Sequence, residues 1–364
     1  MEKIKLFIII PALGGGGAEK VILTLCDNLN TEKFDLTLVV INKIGAFSNY
    51  SNDNIKIIDL KIKHVRNSIF KLYKLIRDEK PDIVFTTLEH LNLLMSILKF
   101  FLPQSIKFIA RESSIVSLRN KQKKLNYLFD FLYKKFFNNF DTIICQSNFM
   151  LEDLVNNYGI HKNKMKIINN PVDVNKIQKL SQENSEVLLD KNTINLIAVG
   201  RLNKVKQYHL MIEIVSQLDS KYHLYILGTG AEEVFLKKMV SDLNLNDRIH
   251  FLGFQDNPYV FMKQADIILM TSKYEGFPNV LIEANSLGIP IVAFDNPGGI
   301  GEIISDNLNG FLIQNNNIKD FILKIKNYSN KKIDKERIIS FIEKKYSVKY
   351  IVNKYENLFL ELTK

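Results

Sequence analysis

Residues 267–304, IILMTSKYEGFPNVLIEANSLGIPIVAFDNPGGIGEII, decide how the chain is read. The apolar run 267–270 has the length and composition of a buried strand. Residues 271–279 read as a loop, and 280–287 as a helix capped by Asn279 and ended by Gly288. Another strand, 291–294, follows. Strand, crossover helix and strand make a parallel pair, the unit of open α/β sheets.

Two glutamates stand in this stretch, Glu275 in the loop and Glu283 in the first turns of the helix, with seven residues between them. The backbone N–H groups from Asn279 to Leu281 lack intrahelical partners, so the helix start offers donors and partial positive charge to an anion such as phosphate. Glu283, an acceptor-only carboxylate, suits a sugar diol beside that anion. It equally suits the helix dipole. Spacing alone leaves both readings open.

Outward from here, short β-branched runs alternate with helical patterns along the whole chain. One series of strands is expected at 5–10, 36–41, 55–60, 83–86, 107–110, 142–145 and 166–168. After the turn-rich break Asn169-Asn170-Pro171-Val172-Asp173, a second series is expected at 195–199, 224–227, 249–252, 267–270, 291–294 and 310–313. That pattern predicts two doubly wound α/β domains, which bind ligands at the carboxyl ends of their strands. A length of 364 residues allows each domain its own core.

Composition narrows the function less. With 46% hydrophobic and 24% charged residues the chain is of the soluble globular class. A net charge of +10 asks for an anionic partner: nucleic acid, phosphorylated ligand or acidic membrane. Cys26 and Cys145 have no zinc or disulfide spacing, which fits a reducing cytoplasm. The N-terminal apolar run is too brief for a signal peptide, and 91–102, interrupted by Lys99, is too short to span a bilayer and reads as a core helix. The six histidines show no metal-ligand spacing, and no Asp-x-Asp occurs, so no metal and no cofactor are expected.

Three loops follow strands and carry candidate ligand groups. Gly14-Gly15-Gly16-Gly17 allows close backbone approach and opens a helix, but it is neither G-x-G-x-x-G nor a Walker loop. Arg201 and Lys206 place two cations in one loop at a sheet's carboxyl edge, where they suit a phosphate group but equally suit an ordinary solvated loop. Gly228-Thr229-Gly230 is followed by Glu232-Glu233, whose charges repel a pyrophosphate, so it reads as a structural turn.

Between residues 61 and 135 there are sixteen Lys or Arg against six Asp or Glu. Within this region the basic run Arg119–Lys124 leads into Tyr127, Phe129, Phe131, Tyr133, Phe136, Phe137 and Phe140. One reading is a helix packed on the core with a solvated basic side. The other is a helix lying on an anionic membrane surface. Nucleic acid is the weaker partner, because no recognition motif accompanies the charge.

The run E-G-F-P-N-V-L-I-E at 275–283, with Ala284, Gly288-Ile289-Pro290 and Pro297-Gly298-Gly299…Glu302, resembles the E-x7-E signature of the family 4 retaining glycosyltransferases. The resemblance extends over nearly the whole chain and implies the GT-B fold, two Rossmann-like domains facing a central cleft. It implies an acceptor domain at 1–173, a nucleotide-sugar domain at 174–345 and a terminal helix at 346–364 returning to the first. Glu275, Arg201 and Lys206 are the implied catalytic residues, Lys206 and Arg201 matching an R-x4-K pair for the donor diphosphate. Glu283 is implied to hold the ribose, with Gly276, Phe277, Pro278, Asn279, Val280 and Leu281 around the donor, Gly16 and Gly17 in the first glycine loop, and Gly253 near the nucleotide base. Arg111 and Glu112 stand where many relatives carry a histidine that meets the donor sugar.

Function follows as an implication of the same resemblance. It is retaining transfer, without metal, from a nucleotide-sugar, a UDP-sugar first, to a lipid-linked saccharide in bacterial surface polysaccharide or glycan synthesis. The leaving phosphate is implied to help deprotonate the incoming hydroxyl. The expected location is cytoplasmic, peripheral on the inner face of the cell membrane. A 2-epimerase-type enzyme of the same fold is the alternative. A dinucleotide-dependent reductase lacks its fingerprint, and a noncatalytic binder would have lost Glu283, Arg201 or Lys206.

Overall fold

The computed structural model describes residues 2–184, 189–329 and 333–364. Its strands are β1 (Ile4–Ala12), β2 (Phe34–Asn42), β3 (Lys56–Asp59), β4 (Ile83–Thr87), β5 (Lys107–Arg111), β6 (Thr142–Cys145) and β7 (Met165–Ile167), then β8 (Ile194–Val199), β9 (Tyr222–Leu227), β10 (Ile249–Gly253), β11 (Ile267–Met270), β12 (Ile291–Asp295) and β13 (Gly310–Gln314). They form two parallel sheets, ordered β3-β2-β1-β4-β5-β6-β7 and β10-β9-β8-β11-β12-β13. Strand order reverses once in each, between β1 and β4 and between β8 and β11. Loops on either side of such a point diverge and leave room for a ligand.

Burial explains why these runs are strands. Leu6 to Ile10 are fully buried, as expected when helices cover both faces of a parallel sheet. Alternate residues then feed different cores. In the second sheet Ile197, Ile268 and Ala293 join one apolar cluster, while Leu196, Leu269 and Val292 join another. In the first, Leu6, Ile8 and Ile10 pack with Leu25 of the helix Gly17–Asn28 and Phe359 of the helix Val348–Leu362.

The chain divides into unit 1, Met1–Pro171 with Val348–Lys364, and unit 2, Val172–Ser347. These bounds lie two residues from the expected ones, because Val172 donates its N–H to the Tyr346 carbonyl (2.8 Å) and bridges Ser347, which keeps both in unit 2. The expected helix 91–102 is the helix Glu89–Leu98, whose Leu91, Met95 and Leu98 are buried. Phe100 and Phe101, beyond its end, are exposed rather than core.

Arg111 ends β5 and is 0% exposed. Its guanidinium donates to the Tyr355 hydroxyl (3.2 Å), the Thr87 hydroxyl (3.4 Å) and the Asn170 side-chain oxygen (2.5 Å). Burying a guanidinium is costly without hydrogen-bond partners, and here three neutral oxygens each take one of its five N–H donors. Arg111 therefore holds the terminal helix and the segment before Pro171 against the sheet. The expected sugar contact is corrected by burial. Tyr355→Phe leaves the Arg111 Nε–H unpaired and is expected to cost about 1.5–3 kcal/mol. Urea unfolding should show a lower midpoint at unchanged slope, and a loss below roughly 0.5 kcal/mol would dismiss the clamp.

Candidate functional site

The carboxyl edge of the second sheet is a row of loops joined side to side. Gly228 donates to the Gly253 carbonyl (2.7 Å), Gly200 to Leu227 (2.9 Å) and Leu202 to Thr229 (2.9 Å). A Cβ on Gly228 would stand 2.0 Å from the Gly200 oxygen, and one on Gly230 2.2 Å from that of Leu202. Gly228-Thr229-Gly230 is thus a packing turn that braces the basic loop. Beyond the switch point, Lys273 donates to the Val205 carbonyl (2.7 Å), and the Thr271 hydroxyl to those of Lys206 (3.1 Å) and Gln207 (3.0 Å). Gln207 has a left-handed backbone, φ 50°, a strained state that Thr271 helps to hold.

The loop after β11 is fixed from its other side as well. Glu275 donates its N–H to Pro297 (3.0 Å), and Gly299 donates to Gly276 (3.0 Å). A Cβ on Gly298, at φ 127°, would lie 1.5 Å from the Glu275 carbonyl oxygen, so only glycine fits. The Asn296 side-chain amide donates to the Ser272 carbonyl (2.7 Å). Sequence reasoning missed Thr271 and Asn296. Their only signal was position, one directly after a strand and one before Pro297-Gly298-Gly299.

These backbones bring two expected residues together. Lys206 Nζ lies 2.6 Å from Glu275 Oε1, with side chains 22% and 15% exposed. Arg201 is exposed five residues before Lys206 in the same loop. Tyr208, buried beneath them, donates its hydroxyl to the Gly200 carbonyl (3.1 Å), and burial, with the nearby Glu275 carboxylate, pushes its phenol pKa up. Gly253 lies further along the row, followed by the exposed Phe254.

The E-x7-E helix departs from expectation in detail. It spans Asn279–Asn285, and its cap is Pro278, which has no side-chain acceptor. Asn279 is therefore the first helical residue, not the cap. Leu281 donates its N–H to Pro278 (3.1 Å), so the helix start has one donor fewer than expected. Phe277, Pro278 and Leu281 are buried, Phe277 edge-on to Tyr346 at 5.4 Å, so their side chains belong to the core. Val280 packs against the same core. Glu283 is half-buried in the second turn.

In unit 1, Gly16 caps the helix Gly17–Asn28, and the Glu19 carboxylate lies 2.7 Å from where a Gly16 Cβ would be. A carboxylate on this helix start opposes a second anion there. Glu112, 1% exposed, accepts from Asn92 (2.8 Å) and the Tyr133 hydroxyl (3.3 Å), while its Oε2 has no hydrogen-bond partner. Burial raises its carboxyl to about 8. Like Arg111, it is enclosed, which corrects the expected sugar contact. Nearby, buried Glu89 pairs with Arg119 (3.2 Å) and with Lys123.

The aromatic run divides. Tyr133, Phe137 and Phe140 are buried, whereas Tyr127, Leu128 and Phe131 on the helix Asn126–Phe136 are exposed, with Leu125 just before it. Lys121 and Lys124 before this helix and Lys134 and Lys135 on it are exposed too, and Lys135 lies over the Phe131 ring at 5.6 Å. Among the described residues no helix is long and apolar enough to cross a membrane, and no group of three or more His, Cys, Asp or Glu is placed to hold a metal ion.

With this geometry established, comparisons place the chain. The family model described as Glycosyltransferase Family 4 matches residues 15–176, and that described as Glycosyl transferases group 1 matches 181–345. The N-acetylgalactosamine-N,N'-diacetylbacillosaminyl-diphospho-undecaprenol 4-alpha-N-acetylgalactosaminyltransferase of Campylobacter jejuni is 31% identical over 86% of this chain and 87% of its own. The lipopolysaccharide 1,6-galactosyltransferase of Escherichia coli is 30% identical over 53% of this chain and 55% of its own. Among solved structures, a Rickettsia africae glycosyltransferase superposes with TM-score 0.83 over 100% of both chains at 18% identity. Anabaena HepE in complex with UDP-glucose gives 0.79 over 98% of this chain and 100% of its own, also at 18% identity. At that identity the likeness shows the fold.

Glu112 makes a pH prediction. Its carboxyl ionises near 4.5 when unperturbed and near 8 in the folded chain. Between those values the folded state holds a proton that the unfolded state has lost. The associated stability is complete below about 4.5 and is lost as pH rises towards about 8, at up to about 1.4 kcal/mol per pH unit. Glu112→Gln does not titrate, so its stability relative to the parent should improve steadily from pH 5 to 8. Denaturation curves that stay parallel over this range would place the proton elsewhere.

Proposed function

Because the chain belongs to the family 4 glycosyltransferases and has the GT-B fold, we propose that it transfers a sugar, with retention and without metal, from a UDP-sugar to a lipid-linked saccharide in bacterial surface glycan synthesis. The observation that carries this is the Lys206–Glu275 pair at 2.6 Å, which joins the loop of exposed Arg201 to the loop after β11 at the switch point of the second sheet. In such a transfer the bond from the anomeric carbon to the diphosphate breaks and one to the acceptor hydroxyl forms. The hydroxyl proton passes to the departing phosphate. Negative charge grows on the diphosphate, and the two cations of the loop after β8 stabilise it, Lys206 being already positioned by Glu275. Glu283 accepts from the ribose hydroxyls, and Glu275 offers its carboxylate to the donor sugar.

The acceptor class is supported by the Campylobacter relative, whose name specifies a diphospho-undecaprenol-linked saccharide. A cytoplasmic enzyme attached to the inner membrane face fits the exposed Leu125, Tyr127, Leu128 and Phe131 together with the exposed Lys121, Lys124, Lys134 and Lys135. Each such cation contributes about 1 kcal/mol at an anionic surface, and the aromatics insert shallowly. Attachment is then reversible and salt-sensitive. Lys123, paired with Glu89, takes no part in it.

Three measurements test these readings. Glu283→Ala should weaken UDP binding by about 1.5–3 kcal/mol, the range for a hydrogen bond to a charged group, and release of UDP from a nucleotide-sugar panel should persist in excess EDTA. Undiminished affinity would remove the ribose role, and activity restored only by magnesium or manganese would remove the metal-free site. Separately, changing Lys121, Lys124, Lys134 and Lys135 to Glu should abolish sedimentation with phosphatidylglycerol vesicles at low salt while leaving UDP affinity unchanged. Equal sedimentation of variant and parent would return this surface to a solvated helix.

A further inference from the structure

Glu275 and Lys206 are pinned through their own backbones. Glu275 N–H is bonded to Pro297, and Gly298 abuts its carbonyl. The Lys206 carbonyl accepts from Thr271, and its N–H donates to the Asn203 side chain (3.1 Å). The 2.6 Å ion pair therefore stands ready before any ligand arrives. A diphosphate that reaches Lys206 does so with a carboxylate already on the same ammonium.

We propose that Glu275 is an internal competitor for Lys206 that speeds departure of the nucleoside diphosphate after transfer, an inference that rests on the nucleotide-sugar reading above. The physical basis is a difference in charge. In the nucleotide-sugar both phosphates are esterified, and the diphosphate bears two negative charges near neutral pH. The released nucleoside diphosphate bears about three. Repulsion from a fixed carboxylate grows with that charge, so it weakens the product more than the donor. Only such a differential interaction can favour release without equal loss of donor binding. When the product leaves, Glu275 reclaims the ammonium, and the half-buried cation is not left unpaired.

Calorimetry on the full chain at pH 7.5 tests this with three probes: UDP, its terminal-phosphate methyl ester, which has one charge fewer and no sugar, and uridine. Glu275→Gln should bind UDP about tenfold more tightly than the parent, the methyl ester with a smaller gain, and uridine equally. Glu275→Asp, which keeps the charge, should bind UDP as weakly as the parent. A merely structural Glu275 would instead show weaker binding of all three probes on replacement by Gln. Unchanged or weakened UDP binding by Glu275→Gln, with Lys206→Ala still losing UDP affinity, would overturn the competitor role and leave the nucleotide site standing. If the parent bound neither UDP nor, in a further titration, GDP or ADP, both the site and the competitor would fall.

Discussion

Everything at the second sheet's carboxyl edge depends on loops bonded to one another rather than to solvent. Gly253, Gly228, Gly200, Leu202, Lys273 and Glu275 each give or take a main-chain hydrogen bond across a loop boundary. Such contacts require backbones to touch, which is why glycine stands at 228, 230 and 298, where a Cβ would overlap a carbonyl oxygen. Strand order supplies the rest. β8 and β11 are neighbours, so the basic loop and the Glu275 loop rise side by side although about seventy residues separate them in sequence. An ion pair between two free surface side chains adds little, because ordering them offsets the attraction. Here the ordering has been done by the fold, and the pair is partly withdrawn from water.

Unit 1 uses charge differently. Arg111 and Glu112 are adjacent at the end of β5, and the alternation of an extended chain sends their side chains to opposite sides. Arg111 meets the terminal helix and Asn170, while Glu112 meets Asn92 and Tyr133. Both sides of a doubly wound sheet are covered, so both groups are enclosed. Arg111 donates hydrogen bonds to three neutral oxygens, while burial raises the Glu112 carboxyl towards its neutral form. Their common effect is to fix what packs on the sheet, and buried polar groups of this kind serve specificity more than stability.

The fold was legible because its signal is local and repeated. Each expected strand lies within two residues of an observed one, since apolar runs buried on both faces leave little doubt of their limits. The cations and glutamates of the second domain were legible through ordered motifs. What could not be read was direction. Arg111 and Glu112 occupy a strand end, where ligand contacts are common, and nothing local says that distant Tyr355 and Asn170 will enclose Arg111. The cap at Asn279 failed for a related reason. Asn is the stronger capping residue, but Pro278 already fixes the turn by accepting from Leu281, and Asn279 is drawn into the helix. Likewise Lys123 resembles its neighbours in sequence, yet Glu89 takes it out of the exposed basic set.

The net charge of +10 is therefore two statements that composition cannot separate. In unit 2, Lys206 is matched to a carboxylate, so its field is short-ranged and its effect depends on ångströms. In unit 1 the excess lies between residues 61 and 135, and part of it, at Lys121, Lys124, Lys134 and Lys135, is exposed beside uncovered aromatics. Charges of that kind act over a Debye length, about 8–10 Å at physiological salt, and set where a molecule dwells rather than what it catalyses. Raising salt should therefore weaken surface association well before it disturbs the partly buried Lys206–Glu275 pair. The two sets of lysines thus differ in setting, one screened by the solution and the other sheltered by the fold.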